Sequence, residues 1–404
     1  MRSADDDGSV GTLDILTTFG PLAAMHAALE RQGIGQACST AAYFPRQRAE
    51  EVHGAVSRVA ARLPVLSSRM IWRGDQPLLI LGAGEATRLG DPLTFRADGT
   101  GIWGYRLAED SGGAWLVAAF AHAGADGLSM LRFQAAVAAE LNGQASPASA
   151  DPARAPKRQR PMALWLPGFL LEHARTYDGL DPANRQSACG ACFAILPLDA
   201  AERLQQAARG SGVAARLAAA AASAFVEQQH GRAEGEVYLN VPISRGGAAS
   251  LRGFGFDVGS VRLPLRLSPG QGLDALAQRA GERLRARIEQ GWDLNLSRLL
   301  AGSPGRRMKF AAIQARKPPD PCFTISWKGR RDGIGARHGV GAIACFAAAP
   351  TLHLSGHLTD DGLSLSLTSP QALDARRALL VQIMDRLGLG PPAEVHELAD
   401  LVAS

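Results

Sequence analysis

One stretch, residues 115–140, constrains the fold more than any other part of the chain. It opens with an apolar run, residues 115–120, and continues through a loop that holds a histidine, an aspartate and two glycines, residues 121–127. Apolar residues then recur at helical spacing: Leu128, Leu131, Ala135 and Ala138. An apolar run predicts a buried strand, and a recurrence every three or four residues predicts a helix. The stretch therefore predicts a strand, a tight loop and a helix in direct succession.

The loop carries two reactive side chains, His122 and Asp126, four residues apart. A histidine suits general-base catalysis because its unperturbed pKa, about 6.5, lies near neutral pH. Gly127 follows the aspartate directly, where a residue without a side chain allows the backbone to turn. His122 is therefore the first candidate catalytic residue. The alternative is a histidine that ends a buried strand and whose ring is satisfied by the core.

The composition describes a soluble globular protein of 404 residues, long enough for two domains. The formal net charge of +5 favours acidic partners, among them phosphates, a carrier protein or nucleic acid, without choosing between them. Residues 1–7 have the wrong charge for a signal peptide, and the alanine-rich run 217–226 is too short to span a bilayer. Five cysteines in a large chain are typical of reduced thiols. We therefore expect a cytoplasmic protein without a membrane span.

Other motifs suggest cofactor or metal sites, but each lacks the surroundings that such a site requires. Cys189 and Cys192 form a C-x-x-C without a second pair at zinc-ribbon spacing, so two packed strand thiols are favoured over a metal or redox site. The glycine-rich stretches 79–84 and 99–104 lack the complete strand–turn–helix context of a dinucleotide-binding motif. The remaining histidines show no partner at metal-ligand spacing. We therefore expect no bound cofactor and no metal.

A break in the pattern divides the chain into two halves. Residues 142–160 are rich in proline, alanine and charge and show no periodicity, which is typical of a surface linker. We predict an N-terminal half, residues 1–160, which ends in this linker, and a C-terminal half, residues 161–404.

The C-terminal half shows clear element signals of its own. Asp199 with Glu202 three residues later predicts a capping box at the start of a helix. An alanine-rich segment, residues 214–228, predicts a buried helix, and residues 352–367 predict a hairpin. A last helix is expected over residues 373–387.

The pattern His-x-x-x-Asp-Gly, carried by His122, Asp126 and Gly127, resembles the signature of the chloramphenicol acetyltransferase-like superfamily. That superfamily includes the condensation domains of nonribosomal peptide synthesis, the plant BAHD acyltransferases and polyketide-associated acyltransferases. The resemblance extends from about residue 46 onward. Later segments are similar to family strands in the expected order: 237–245, 258–266 and 323–329.

The chain also departs from the family pattern. Ala121 stands where the first of the family's paired histidines would be, and the first family motif is missing near residue 20. The Asp-Phe-Gly-Trp-Gly of the plant branch is absent after residue 329. The family uses the second histidine of the pair for chemistry, which is His122 here, so the expected activity is retained.

The resemblance implies an α/β fold of two chloramphenicol acetyltransferase-like halves with mixed sheets and an active-site channel between them. It also implies that His122 is the general base and that Asp126 holds the loop by pairing with an arginine. Ser67 stands at the family's usual arginine position, so Arg62 or Arg69 is expected to substitute.

The reaction implied by the resemblance is acyl transfer from a thioester to a small hydroxyl or amine acceptor, in secondary metabolism. The thioester would be carried by the phosphopantetheine arm of an acyl carrier protein or by coenzyme A. Ser326 is the candidate donor to the oxyanion, the alternative being an ordinary strand serine.

The carrier protein is favoured as the donor because no compact phosphate-binding loop is visible in the chain. Basic residues in expected loops could dock such an acidic partner: Arg154, Lys157, Arg158, Arg160, Arg330 and Arg331. Nucleic acid is not expected as a partner.

Two other functions stay open at this point. The same fold could serve as a non-catalytic module that recruits a carrier protein or another enzyme. It could also serve a cyclase or an isomerase that uses the same pocket for a different reaction.

Overall fold

The computed structural model describes residues 16–35, 37–82, 84–97, 101–144, 189–231, 234–244, 258–316, 322–331, 334–348 and 352–403. The helices in these ranges are α1 (Pro21–Arg31), α2 (Ala49–Arg62), α3 (Gly127–Leu141), α4 (Leu198–Ala207), α5 (Val213–His230), α6 (Leu273–Glu289), α7 (Asn295–Leu300), α8 (Pro304–Arg316), α9 (Leu373–Arg386) and α10 (Leu398–Ala403). The strands are β1 (Leu16–Thr18), β2 (Ala37–Pro45), β3 (Arg69–Arg73), β4 (Gln76–Ile80), β5 (Thr87–Arg88), β6 (Trp103–Asp110), β7 (Gly113–Ala121), β8 (Gly190–Pro197), β9 (Gly235–Ser244), β10 (Val258–Leu267), β11 (Cys322–Arg330), β12 (Ala342–Ala347), β13 (Leu352–Leu358), β14 (Gly362–Ser369) and β15 (His396–Glu397).

The described strands form three sheets. A five-stranded sheet has the order β12-β2-β7-β6-β5, and a seven-stranded sheet has the order β10-β9-β11-β13-β14-β8-β15. Strands β1, β4 and β3 form a small third sheet. In the seven-stranded sheet β11 runs parallel to β9 and β13, whereas β9 with β10 and β13 with β14 are antiparallel. The α/β class with mixed sheets, predicted from the family resemblance, is confirmed.

Strand β7 is buried on both faces, which explains its unbroken apolar sequence. One face contributes Leu116 and Phe120 to a core covered by α2 and α3. The Phe120 ring stacks on Trp103 with centroids 5.8 Å apart. The other face contributes Val117 to a second cluster that also contains residues of the seven-stranded sheet. The central stretch therefore folds as predicted, as strand, loop and helix.

Strands β13 and β14 of the seven-stranded sheet have one apolar face and one polar face, and both are buried. On β14 the leucines at 363, 365 and 367 pack with α5 and α9 in one core. The residues between them, Ser364, Ser366 and Thr368, are also buried. Successive side chains of a strand point to opposite faces, so the polar set faces away from these helices. The alanines of α5 allow that helix to lie close to the apolar face.

Strand β12 belongs to the five-stranded sheet and also packs against the seven-stranded sheet. Strand β12 lies late in the chain but pairs with β2, with Ala344 opposite Ala41. Phe346 on β12 then packs against Phe193 of the seven-stranded sheet, with ring centroids 5.7 Å apart. The boundary predicted at residue 160 lies in 145–188, outside the described residues, and stays a prediction. The strand pairing itself means that the five-stranded sheet is completed by the C-terminal half.

Two sequence predictions about helices need correction. Helix α4 has Pro197 as its N-cap, so Asp199 lies in the first turn and forms an ion pair with Arg203 at 2.6 Å instead of a capping box. The helix predicted over residues 373–387 is not the last one, because β15 and α10 follow α9. Within the described residues, no helix combines the length and the apolar character needed to cross a membrane.

The contact between β12 and the seven-stranded sheet generates a stability prediction. Phe346 is 1% exposed, so Phe346→Ala should leave a cavity and lower the free energy of unfolding by about 3–5 kcal/mol. Chemical denaturation followed by circular dichroism measures the change. Ile313→Ala is the control, since Ile313 is 46% exposed and its truncation should change stability by no more than about 0.5 kcal/mol. Equal effects of the two substitutions would contradict a structural role for this contact.

Candidate active site

A cavity of about 400 Å³ lies between the five-stranded and the seven-stranded sheets. Its lining includes apolar residues of helices, among them Leu22, Met25 and Leu296. It also includes polar residues of the seven-stranded sheet, among them Asn240, Ser260 and Thr324. A volume of this size suits a small organic ligand, and the mixed lining suits one with both an apolar and a polar part.

His122 lines this cavity as the first residue after β7. Its Nδ1 lies 3.0 Å from the carbonyl oxygen of Ala125. A carbonyl oxygen can only accept a hydrogen bond, so Nδ1 carries the ring proton and Nε2 keeps a lone pair. The loop is closed by a hydrogen bond from Gly124 N to the Ala121 carbonyl oxygen at 2.8 Å. The loop backbone therefore sets the tautomer that a general base requires.

Burial sets the protonation states of the two groups at this position. Desolvation lowers the pKa of His122, although the Ala125 carbonyl and the Asp126 charge act in the opposite direction. The imidazole is therefore neutral at neutral pH. Cys38 Sγ lies 3.0 Å from His122 Nδ1, and burial raises the pKa of this thiol. The pair is therefore a neutral imidazole beside a neutral thiol.

Asp126 is the N-cap of α3. Its Oδ1 accepts hydrogen bonds from Leu128 N at 3.1 Å and from Ser129 N at 2.8 Å. The carboxylate thereby satisfies two backbone N–H groups that the first turn of a helix leaves open. Asp126 consequently fixes the loop to the helix.

The arginines expected to pair with Asp126 lie elsewhere. Arg62 forms an ion pair with Glu140 of α3, with its Nη2 2.5 Å from Oε2. Arg69 is exposed at the start of β3, in the small third sheet. The prediction that Arg62 or Arg69 pairs with Asp126 is therefore wrong. Arg62 binds the carboxylate of Glu140, and Arg69 is exposed to solvent.

Gly127 has a different role from the one predicted. It is the first residue of α3 and is not among the positive-φ glycines of the described residues. A Cβ at this position would lie 2.5 Å from Cε of Lys328. A side chain at residue 127 would therefore displace the end of the Lys328 chain, which crosses the Gly127 Cα.

Lys328, which the sequence reasoning missed, lies on the cavity face of β11. Thr324, Ser326 and Lys328 alternate along the strand, and all three line the cavity. The Lys328 ammonium donates to Ser326 Oγ at 3.2 Å and to Ser355 Oγ on β13. Polar residues at every second position of a buried strand were the signal that could have identified this lysine.

Two further histidines lie on the same polar face. His353 and His357 are buried on β13, and desolvation lowers the pKa of each to about 3, so both are neutral. Among the described residues no group of three or more His, Cys, Asp or Glu side chains could hold a metal ion. Of the two residues of the C-x-x-C, Cys192 is a thiol buried in β8, and Cys189 lies half-buried directly before this strand.

The six basic residues named for docking are only partly described. Arg330 is exposed at the end of β11. Arg331 instead lines the cavity and donates to the backbone carbonyl oxygen of Lys328, so it belongs to the cavity wall and not to an outer loop. The other four lie outside the described residues: Arg154, Lys157, Arg158 and Arg160.

Sequence comparison identifies no relative, whereas structural comparison identifies solved structures with a similar fold. No protein-family model matches the chain, and no curated protein is significantly similar to it. The first condensation domain of the calcium-dependent antibiotic synthetase, solved with a substrate analogue, is 16% identical. It superposes with a TM-score of 0.60 over 93% of this chain and 98% of its own.

Two other solved structures are similar to the same extent. A mutant of the starter condensation domain of rhizomide synthetase, solved with C8-CoA, is 14% identical with a TM-score of 0.58, over 93% of this chain and 96% of its own. The epimerization domain from the third module of tyrocidine synthetase B is 15% identical with a TM-score of 0.59, over 94% of this chain and 97% of its own. The chain has a condensation-domain-like fold, as the resemblance predicts.

The loop geometry predicts the titration of His122. Because burial lowers its pKa, the imidazole should lose its proton below pH 6.5, the usual midpoint. Nitrogen-15 NMR of the imidazoles should show this low midpoint together with a protonated Nδ1, and the signal is assigned by its loss in His122→Ala. A midpoint at or above pH 6.5, or a protonated Nε2, would contradict the geometry.

Proposed function

We propose that this chain, which has the fold of condensation domains, transfers an acyl group from a pantetheine thioester to a hydroxyl or amine acceptor with His122 as general base. The observation that carries the proposal is the hydrogen bond from His122 Nδ1 to the Ala125 carbonyl oxygen. It leaves Nε2 as the basic nitrogen of a neutral imidazole that lines the cavity between the two sheets. A base with this protonation state is what acyl transfer to a neutral nucleophile requires.

The proposed reaction needs no covalent enzyme intermediate. His122 Nε2 accepts the proton of the acceptor as its oxygen or nitrogen attacks the thioester carbonyl carbon. The new bond forms and the carbonyl oxygen becomes an oxyanion. Collapse of this intermediate breaks the C–S bond, and the imidazolium returns its proton to the departing sulfur. Ser326, which lines the same cavity, is the proposed donor to the oxyanion.

The cavity lining supports two substrates of different character. Leu22, Met25 and Leu296 offer an apolar surface for an acyl chain. Asn240 and Ser260 offer polar groups for an acceptor. The size of the cavity, about 400 Å³, favours small acyl and acceptor groups over peptides.

The donor is proposed to be carried by an acyl carrier protein. One structural neighbour was solved with a substrate analogue and another with C8-CoA, so a pantetheine thioester is the shared chemistry of the proposal. The basic composition of the chain favours an acidic protein partner. Secondary metabolism is the proposed context, because the similar domains come from synthetases such as the one for the calcium-dependent antibiotic.

An isomerisation is the second candidate, because an epimerization domain has the same fold. A neutral His122 could remove a proton from the carbon next to a thioester carbonyl instead of from an acceptor. Incubation of an acyl-pantetheine thioester in D₂O separates the two candidates. Deuterium at the α-carbon without an acceptor favours isomerisation, and a new ester or amide favours acyl transfer. A recruitment module would give neither product.

The base is tested by truncation. His122→Ala should lower turnover by roughly 10²–10⁴-fold, the usual contribution of a positioned general base. Mass spectrometry of the acylated acceptor measures the change. The matched control is His338→Ala, because His338 lies on a 3₁₀ turn near Asp360, away from the cavity lining. Retention of near-normal turnover in His122→Ala would remove this residue from the mechanism.

The donor is tested by charge reversal of Arg154, Lys157, Arg158, Arg160 and Arg330. Surface charges steer a protein partner, so reversal should slow transfer from an acyl carrier protein and weaken its dependence on salt. Transfer from a free acyl-pantetheine thioester should be unchanged, since this donor needs no docking surface. Equal losses with both donors, or a strong preference for acyl-CoA, would argue against the carrier protein.

A further inference from the structure

Lys328 is a buried cation in the wall of the cavity. It is 7% exposed, and its side chain leads from β11 over the start of α3 at Gly127. Within the described part of the chain, its ammonium donates to two hydroxyls, Ser326 Oγ and Ser355 Oγ. A buried charge is costly unless it is compensated, and hydroxyl oxygens compensate it only in part.

The ammonium fixes the direction of a hydroxyl proton. A lysine ammonium has three donors and no acceptor, so Ser326 Oγ must accept from Lys328. The proton of Ser326 is then free to point elsewhere, and Ser326 lines the cavity that also holds His122. Ser355 is 2% exposed, so its hydroxyl serves as a buried anchor for the lysine.

We propose that Lys328 is a positioning residue which orients the Ser326 hydroxyl so that it donates to the oxyanion of the tetrahedral intermediate. This inference rests on the proposed acyl transfer and adds a residue to it. The positive charge also polarises the Ser326 hydroxyl and strengthens the hydrogen bond that it donates, since charge-assisted bonds are stronger than neutral ones. The lysine acts at the moment when negative charge develops on the carbonyl oxygen, which is when such a donor contributes to catalysis.

Several groups around the lysine influence its charge. Burial lowers the pKa of Lys328, and Arg331 after β11 acts in the same direction, while nearby Cys and Asp groups oppose this change. The groups that face it are Cys38 on β2, Cys345 on β12, Asp126 before α3, Arg331, and His353 and His357 on β13. Burial raises the pKa of both thiols, and both histidines titrate near pH 3. The two histidines are therefore neutral throughout the range between neutral pH and the usual pKa of lysine.

A pH dependence follows from the lowered pKa. Below it, the ammonium donates to Ser326 and the hydroxyl proton points into the cavity. Above it, the neutral amine accepts from Ser326 and withdraws that proton from the oxyanion. Activity should thus fall with rising pH at a midpoint below the usual lysine value of about 10.4. We call this loss of activity at high pH the alkaline limb of the pH–rate profile. It can be measured with an alcohol acceptor, because the alcohol itself does not titrate in this range.

The test compares four chains with an acyl-pantetheine thioester and a neutral alcohol acceptor: wild type, Ser326→Ala, Lys328→Met and the double variant. Ser326→Ala should lower kcat by about 10²–10³-fold, the usual effect of removing an oxyanion donor. Lys328→Met should lower kcat by at least about 10-fold with little change in KM. Because Lys328 acts through Ser326, the double variant should be no slower than Ser326→Ala. The alkaline limb should disappear in all three variants.

Controls separate this inference from folding effects and from the proposed function. Lys309→Met removes an exposed lysine of α8 and should keep the wild-type rate and pH profile. If Lys328→Met does not fold by circular dichroism, the pH profile of Ser326→Ala alone still decides, since it must lack the alkaline limb.

Specific results would overturn the inference. An alkaline limb that persists in Ser326→Ala or Lys328→Met, or rate losses that multiply in the double variant, would show that Lys328 does not act through Ser326. A higher KM with unchanged kcat in Lys328→Met would make the lysine a substrate-binding group instead. None of these results contradicts the proposed acyl transfer, provided that turnover still depends on His122. Turnover that is independent of His122 would overturn both.

Discussion

The pairing of β12 with β2 holds the site together. It places a strand from the C-terminal half at the edge of the five-stranded sheet, with Ala344 opposite Ala41. The same strand meets the seven-stranded sheet through Phe346, and the Ser366 hydroxyl of β14 donates to the backbone carbonyl oxygen of Cys345. The two sheets are therefore held facing each other by backbone pairing, ring packing and a hydrogen bond. The cavity exists because neither sheet fills the space at one end of this contact.

The facing surfaces of the two sheets are unlike each other. The five-stranded sheet presents apolar residues, among them Ala41, Ala119 and Phe346. The seven-stranded sheet presents hydroxyls and imidazoles, including Ser355 and His357, on the face opposite its leucines. Buried polar groups destabilise a fold unless they find partners, so a polar face at this depth requires a reason beyond packing. Solvation and orientation of a reacting group in the cavity would supply that reason, because hydroxyls can donate or accept as the reaction demands.

The parts of the site that the sequence could predict are local ones. The strand, the loop and α3 follow from residues at most a few positions apart, and the bond between His122 Nδ1 and the Ala125 carbonyl oxygen spans three residues. The predicted arginine partner of Asp126 is wrong because this prediction depended on a contact between residues far apart in the sequence. Arg62 forms its ion pair with Glu140, which lies near the end of α3, whereas Asp126 lies at the start of this helix. The sequence does not indicate which of these two carboxylates the arginine binds. Likewise, the β12 pairing joins residues about three hundred positions apart, a distance over which local patterns carry no information.

Lys328 shows how a long-range contact gives meaning to a local motif. The glycine of His-x-x-x-Asp-Gly is most simply explained by a turn, yet Gly127 begins a helix and gives space to a lysine from β11. Any side chain at 127 would meet Lys328 Cε, so the sequence of the loop and the position of the cation depend on each other. Burial then lowers the pKa of the imidazole and of the ammonium alike, since desolvation disfavours the charged form of each. For His122 this change keeps the base neutral across a wider range of pH, whereas for Lys328 it narrows the range in which the ammonium persists. A neutral base and a cation are present together in the cavity where the pH lies above the midpoint of His122 and below that of Lys328.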